Sequence, residues 1–413
     1  MLPLSLLPAI LLALRVAAGP VLVRDDFISL PISRRFNFTG SATLVQADLA
    51  RVKSIKSRAA AKKAAVETGA EARAVISEPV SNQVVSYIAT VGVGSPVTSY
   101  ELIVDTGSSN TWVGATQSYI QTSTAVRTTN TVSVVYGSGS FTGTEFTDQV
   151  MLAPGLVIPH QSIGVSSRSS GFDGVDGILG LGPVDLTLGT LTNARTTLVP
   201  TVTDNLFSQG IITSNLVAIS FQPTTQIAVT NGELTFGGTD SSKFTGAITF
   251  TPVTSTSPAD DYWGINQSVT YGSNTILATT AGIVDTGTTL IYLATDAYTR
   301  YQRATGAVLD ANTGLLRVTT AQFVAMQNLN FVIGGRSFSL TPNGQIFPRS
   351  LNTAIGGSAS SIYLIVADWG TPSGQGLDFI LGYAFLERFY SVYDTANRRV
   401  GIATTPFTTA TSN

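Results

Sequence analysis

Ile103-Val104-Asp105-Thr106-Gly107-Ser108-Ser109 sets an acid at the end of an apolar, β-branched run, and Ile283-Val284-Asp285-Thr286-Gly287-Thr288-Thr289 repeats the arrangement far along the chain. A fully buried strand would read as apolar throughout. Here each run stops at a carboxylate followed closely by Gly, which turns sharply without a Cβ clash. The acid is therefore held rather than solvated. Two such turns point to two related lobes, each supplying one carboxylate to a shared cleft. Like charges a few ångströms apart cannot both ionise readily, so the pair would share a proton and could serve as acid and base together.

A second pair of stretches agrees with a duplicated architecture. Asp176-Gly177-Ile178-Leu179-Gly180 and Asp378-Phe379-Ile380-Leu381-Gly382 each follow their own Asp-Thr-Gly. At 413 residues the chain exceeds what one hydrophobic core usually serves. Its 43% apolar and 12% charged content excludes a disordered chain. With 39 Gly, abundant Ser and Thr and few long amphipathic runs, the bulk reads as β-rich. There is no cysteine and one histidine, which excludes a disulfide framework, a Cys/His zinc site and a Cys nucleophile.

These residues resemble the pepsin-like aspartic proteases, whose mark is Asp-Thr-Gly-Ser/Thr in each lobe. The likeness runs from about residue 84 to 403, and the Cys-free pattern with Asn-Thr-Trp-Val-Gly around Trp112 looks most like the polyporopepsin-type enzymes of wood-rotting fungi. It implies an all-β, bilobal fold with two related β-barrel-like lobes, a cleft between them and short helices. Asp105 and Asp285 become the catalytic pair, with Gly107, Ser108, Gly287 and Thr288 supporting their carboxylates. Trp112 would support a mobile hairpin over the cleft, matched by Tyr136, Gly137 and Ser138; closely spaced glycines suit such a tip. Ile103 and Ile178, with Phe172 as a looser match, correspond to pocket-lining positions and imply bulky apolar residues beside the cut. The apolar-apolar-Gly segments would brace the catalytic loops from behind. The implied partners are an extended peptide or protein substrate, the chain's own prosegment and statine-type inhibitors. No cofactor, nucleic acid or membrane is implied, and the chain is expected to be a monomer.

Charge divides the chain. Residues 1–73 hold 11 of the 23 Lys and Arg and 5 of the 25 acids, so the remainder is acidic. A basic segment ahead of an acidic body can dock while carboxylates are ionised and release when acid protonates them; a basic tail without an inhibitory role is the alternative. Residues 1–18 read as a secretory signal peptide, with an apolar run ending in Val16-Ala17-Ala18. Residues 19–73 read as a prosegment, extended over 27–32 and helical over 49–66, where Ala, Lys and Arg favour helix. Lys53, Lys56, Lys62 and Lys63 are the candidates for a cation reaching the aspartates. Maturation is expected near Arg73/Ala74. Residues 74–248 and 249–413 would form the two catalytic lobes. Sequons stand at Asn37 and Asn266.

Rival chemistries fit less well. Paired carboxylates also hydrolyse glycosides, but that leaves the repeated turns and the Tyr-Gly hairpin unexplained. His160 follows Pro159 with no nucleophile-elbow sequence nearby, so it reads as a satisfied or exposed histidine. A catalytically silent pepsin-fold binding or inhibitor protein remains the alternative from another class.

Overall fold

The computed structural model describes residues 27–36, 43–68, 85–136 and 139–413, so the expected signal peptide, Asn37, the maturation point near Arg73, Gly137 and Ser138 lie outside the described residues. β-Branched and aromatic runs broken by Gly, Pro and Asn turns form strands through most of this length. The fold is mostly β, in two barrel-like lobes. Helices in the body are short, the longest being Thr295–Thr305.

One sheet of 13 strands carries the first half of the chain, and a sheet of seven strands with a smaller one of three carries the second. The large sheet crosses the expected lobe boundary. Terminal strands Phe389–Asp394 and Arg399–Thr404 join it, the former pairing with Leu216–Phe221. In each half an apolar strand runs into its Asp-Thr-Gly turn, and both are buried on both faces over the last residues: Leu102, Ile103 and Val104 in one, Ile283 and Val284 in the other.

The basic N-terminal segment is built into this framework. Strand β1 (Ile28–Phe36) lies between strand β2 (Val85–Val93) and strand Ala228–Phe236, paired antiparallel to both. It extends further than the expected 27–32. Its Arg34 is buried, donates to the Thr224 carbonyl at 3.0 Å and lies 3.4 Å from the Glu387 carboxylate. Helix α1 (Leu44–Thr68) also starts earlier than expected. Thr43 and Gln46 form a reciprocal cap, the Gln46 N–H donating to the Thr43 hydroxyl at 3.2 Å and the Thr43 N–H to the Gln46 side-chain Oε1 at 2.8 Å. Leu44, Ala47, Val52 and Ile55 make a buried apolar stripe at helical spacing. Asp48 and Arg51 fall inside that stripe and are buried with it.

Candidate active site

Each Asp-Thr-Gly turn is tied by backbone hydrogen bonds to the strand behind it. Strand β3 (Thr98–Asp105) pairs in parallel with Gly177–Gly180, opposing Asp105 to Gly180. The Leu181 N–H donates to the Asp105 carbonyl and the Gly182 N–H to the Ser108 carbonyl, both at 2.8 Å. In the second lobe, strand Asn274–Val284 pairs in parallel with Phe379–Leu381. There the Asp285 N–H donates to the Leu381 carbonyl at 3.0 Å and the Tyr383 N–H to the Thr288 carbonyl at 2.9 Å. Both apolar-apolar-Gly segments thus lie behind the loops. A Cβ on Gly180 would sit 2.4 Å from the Ser109 backbone, and one on Gly382 would sit 2.3 Å from the Leu290 carbonyl oxygen. Only glycine lets the chain pass this closely.

The carboxylates are fully buried and dressed alike. Asp105 Oδ1 accepts from the Gly107 N–H at 2.9 Å and Oδ2 from the Ser108 hydroxyl at 2.5 Å. Asp285 Oδ1 accepts from the Gly287 N–H at 3.0 Å and Oδ2 from the Thr288 hydroxyl at 2.6 Å. Two donors per carboxylate fix both its plane and its depth. Thr106 and Thr286, which the sequence did not single out, tie the turns together. The N–H of each donates to the hydroxyl of the other at 3.0 Å, and the Thr286 hydroxyl donates on to the Val104 carbonyl at 3.0 Å.

Arg51 lies between the two acids. Its Nη2 donates to Asp105 Oδ1 at 2.5 Å and to Asp285 Oδ1 at 2.8 Å, while Nε donates to Asp285 Oδ2 at 2.7 Å. The facing oxygens are therefore no further apart than those two Nη2 bonds laid end to end. This corrects the expectation of a lysine. Lys53 is exposed, Lys56 turns to the far wall, and the side chains of Lys62 and Lys63 lie outside the described residues. The physical reason is helical phase: Arg51 shares the inward stripe, and Lys53, two residues on, points away. A guanidinium also offers a planar fork of donors that one ammonium cannot match.

Burial alone would push the Asp105 carboxyl up, but the Arg51 guanidinium, the Ser108 hydroxyl and the Gly107 N–H together hold it below the usual carboxylate range. Asp48, one turn earlier, is the opposite case. Its carboxylate accepts from the Thr289 N–H at 3.1 Å and the Leu290 N–H at 2.9 Å, just beyond the Asp285 turn. Burial outweighs those bonds and Arg51, and its carboxyl is pushed up to about 7.

Above the first lobe's acid, Ile103, Trp112, Tyr136, Phe141, Phe172 and Ile178 gather in one apolar cluster separate from the main core. The Trp112 ring stacks on Phe141 at 4.3 Å and meets Phe172 edge-on at 4.8 Å, with Tyr136 6.4 Å away. Residues expected to form hairpin, support and pocket are thus brought together. His160 is exposed on a strand. The Asn266 side chain is exposed on strand Gly264–Tyr271 and accepts from the Thr254 hydroxyl at 3.0 Å. Among the described residues no group of three acidic or histidine side chains is arranged to hold a metal, and no helix is long and apolar enough to cross a membrane.

Two lobes that each bring an Asp-Thr-Gly turn to a common pair of acids define a pepsin-like aspartic endopeptidase, and the chain belongs to that family: the model of the eukaryotic aspartyl protease family matches residues 86–405. Among individual relatives, it is 68% identical to polyporopepsin of Irpex lacteus over 338 residues, 82% of this chain and 99% of that sequence. It is 33% identical to gastricsin of Cavia porcellus, over 80% of this chain and 83% of that one. The crystal structure of the aspartic proteinase from Irpex lacteus superposes with a TM-score of 0.80 at 59% identity, covering 94% of this chain and all of that one.

Proposed function

We propose that the protein is a secreted aspartic endopeptidase made as a zymogen, in which residues 19–73 are an inhibitory prosegment and Arg51 is the group that blocks catalysis. The observation that carries this reading is the Arg51 guanidinium, bonded to both Asp105 and Asp285 at the centre of the cleft. A cation there neutralises the pair and fills the space a substrate would need. The apolar leader ending at Ala18 supports secretion, and the family match begins only at residue 86, beyond the basic segment.

Once Arg51 withdraws, Asp105 and Asp285 share one proton and hold a water. The ionised member takes a proton from that water as its oxygen attacks the peptide carbonyl, and the protonated member donates to the carbonyl oxygen. A tetrahedral intermediate forms, collapses with protonation of the leaving nitrogen, and leaves no covalent enzyme species. General acid-base help of this kind contributes roughly 10²–10⁴-fold; positioning by the two donors on each carboxylate supplies more. A dyad that works half-protonated implies an acidic optimum. The substrate is an extended peptide bound through its main chain, and the apolar cluster around Ile103, Tyr136 and Ile178 supports bulky apolar residues beside the cut.

Incubating the purified precursor across pH, with and without a statine-type inhibitor, tests both parts. The expected result is a mass drop of about the prosegment in acid together with the onset of peptide cleavage that the inhibitor abolishes. Full inhibitor-sensitive activity of the intact precursor at neutral pH would overturn the zymogen part, and no peptide cleavage at any pH would overturn the enzyme.

A further inference from the structure

We propose that the cleft wall formed by Asp368, Trp369 and Thr371 is a substrate subsite for a basic side chain, and that Lys56 fills it in the precursor. This rests on the reading of α1 as a removable prosegment. The Lys56 ammonium donates to the Trp369 carbonyl and to the Thr371 hydroxyl, both at 3.1 Å, and stands 4.3 Å from the centre of the Trp369 ring. An aromatic face, a carbonyl and a hydroxyl around one ammonium make a cation-accepting corner, and the neighbouring Asp368 carboxylate adds a favourable field.

The corner is rigid and belongs to the catalytic half-site. Strand Val366–Asp368 runs parallel to Ile291–Leu293, which follows directly on the Asp285 turn. The Trp369 N–H donates to the Leu293 carbonyl at 2.8 Å and the Thr295 N–H to the Thr371 carbonyl at 2.9 Å. Asp368 is itself oriented by the Thr295 hydroxyl at 2.6 Å and the Gly370 N–H at 2.8 Å. Removing α1 therefore leaves the corner intact and open to the cleft. Lys56 stands five residues after Arg51, about 7–8 Å along the helix axis and about 140° around it, so the corner lies at least that axial distance from the dyad. An extended peptide covers the axial part alone in about two to three residues.

Processed enzyme can be given a set of peptides that share one apolar scissile pair and carry Lys, norleucine or Glu at the second, third or fourth residue on either side. At one of these positions Lys is expected to raise kcat/KM about three- to tenfold over norleucine, with Glu below both. Thr371→Val and Asp368→Asn should each shrink the Lys-to-norleucine ratio, and the ratio is read independently of the variant's overall rate. Equal kcat/KM for Lys and norleucine at every position, with both peptides cleaved, would overturn the subsite while leaving the enzyme reading intact. No turnover of any peptide would instead overturn the hydrolase on which the subsite depends.

Discussion

Thr106 and Thr286 trade hydrogen bonds across the floor of the cleft, each backbone N–H donating to the other's hydroxyl at 3.0 Å. The two residues come from different lobes and stand next to Asp105 and Asp285. Their exchange makes the separation of the acids a property of one small, buried, symmetrical network.

Removing one hydroxyl tests this network. Thr106→Val keeps the shape but leaves the Thr286 N–H buried without its acceptor, which costs about 1–3 kcal/mol. The expected outcome is a lower unfolding midpoint together with a fall in kcat, because the acids lose their fixed spacing. An unchanged midpoint and unchanged kcat would count against it.

Gly107 and Gly287 are needed for a steric reason. A Cβ on Gly107 would lie 2.6 Å from Asp285 Oδ1, and one on Gly287 would lie 2.6 Å from Asp105 Oδ1. Either Gly→Ala change must push an acid off its position. A misplacement of this order is expected to lower kcat/KM by at least about 10², measured on processed enzyme; near-normal turnover would contradict the geometry.

Arg51→Ala should unblock the precursor. In acid it is expected to cleave peptide without the lag expected of the parent, whereas Arg51→Lys, which keeps the charge but loses the fork, should show an intermediate lag. At neutral pH the same Ala variant leaves two buried carboxylates without their cation, so the precursor should lose about 3–5 kcal/mol of stability. Chemical denaturation and stopped assays read the two effects separately.

Docking of α1 should be firmest in a window of pH. Asp105 is held below its ordinary range in the docked state, so its contribution is present above about pH 4 and is lost as pH falls through the lowered value. Asp48 has the opposite sign. Its carboxyl is pushed up to about 7 by burial, so its contribution is full below about pH 4, declines progressively as pH rises from there, and is gone by about pH 7. The groups facing Asp48 are the Thr289 and Leu290 N–H groups, Arg51, Tyr292 and Tyr383. Hydrogen exchange of α1 in the precursor, once corrected for intrinsic exchange, should therefore be slowest near pH 4, quickening progressively from there to about pH 7 and again as pH falls through the lowered Asp105 value. Asp48→Asn should abolish the alkaline loosening and leave the acidic release in place; an alkaline limb that persists in that variant would assign it to another group.

How much of this was legible follows from which physics acts locally. The repeated apolar run, acid and glycine marked both Asp-Thr-Gly turns, because a carboxylate cannot end a buried strand unless the fold provides donors for it. Ser108 and Thr288 were readable for the same reason. Thr106 and Thr286 were not, since nothing in either turn reveals that its backbone N–H meets a hydroxyl 180 residues away. The cation between the two acids was missed through phase rather than chemistry. Counting lysines in a basic helix ignores which face is buried, whereas Leu44, Ala47, Val52 and Ile55 mark an inward stripe that contains Asp48 and Arg51. Thr43 and Gln46 carried an unread start signal for the helix. The sheet that takes β1 between β2 and Ala228–Phe236 depends on pairings across some 200 residues, beyond the reach of local pattern.

The central claim is that Asp105 and Asp285 act as one unit in peptide hydrolysis. The direct measurement is kcat/KM on an apolar peptide for processed Asp105→Asn, Asp285→Asn and the double variant, with folding verified by circular dichroism. Acting as a unit, each single variant should fall by at least about 10³, and the double variant should fall little further. Turnover within a few fold of the parent in either single variant, or losses that multiply in the double variant, would contradict it.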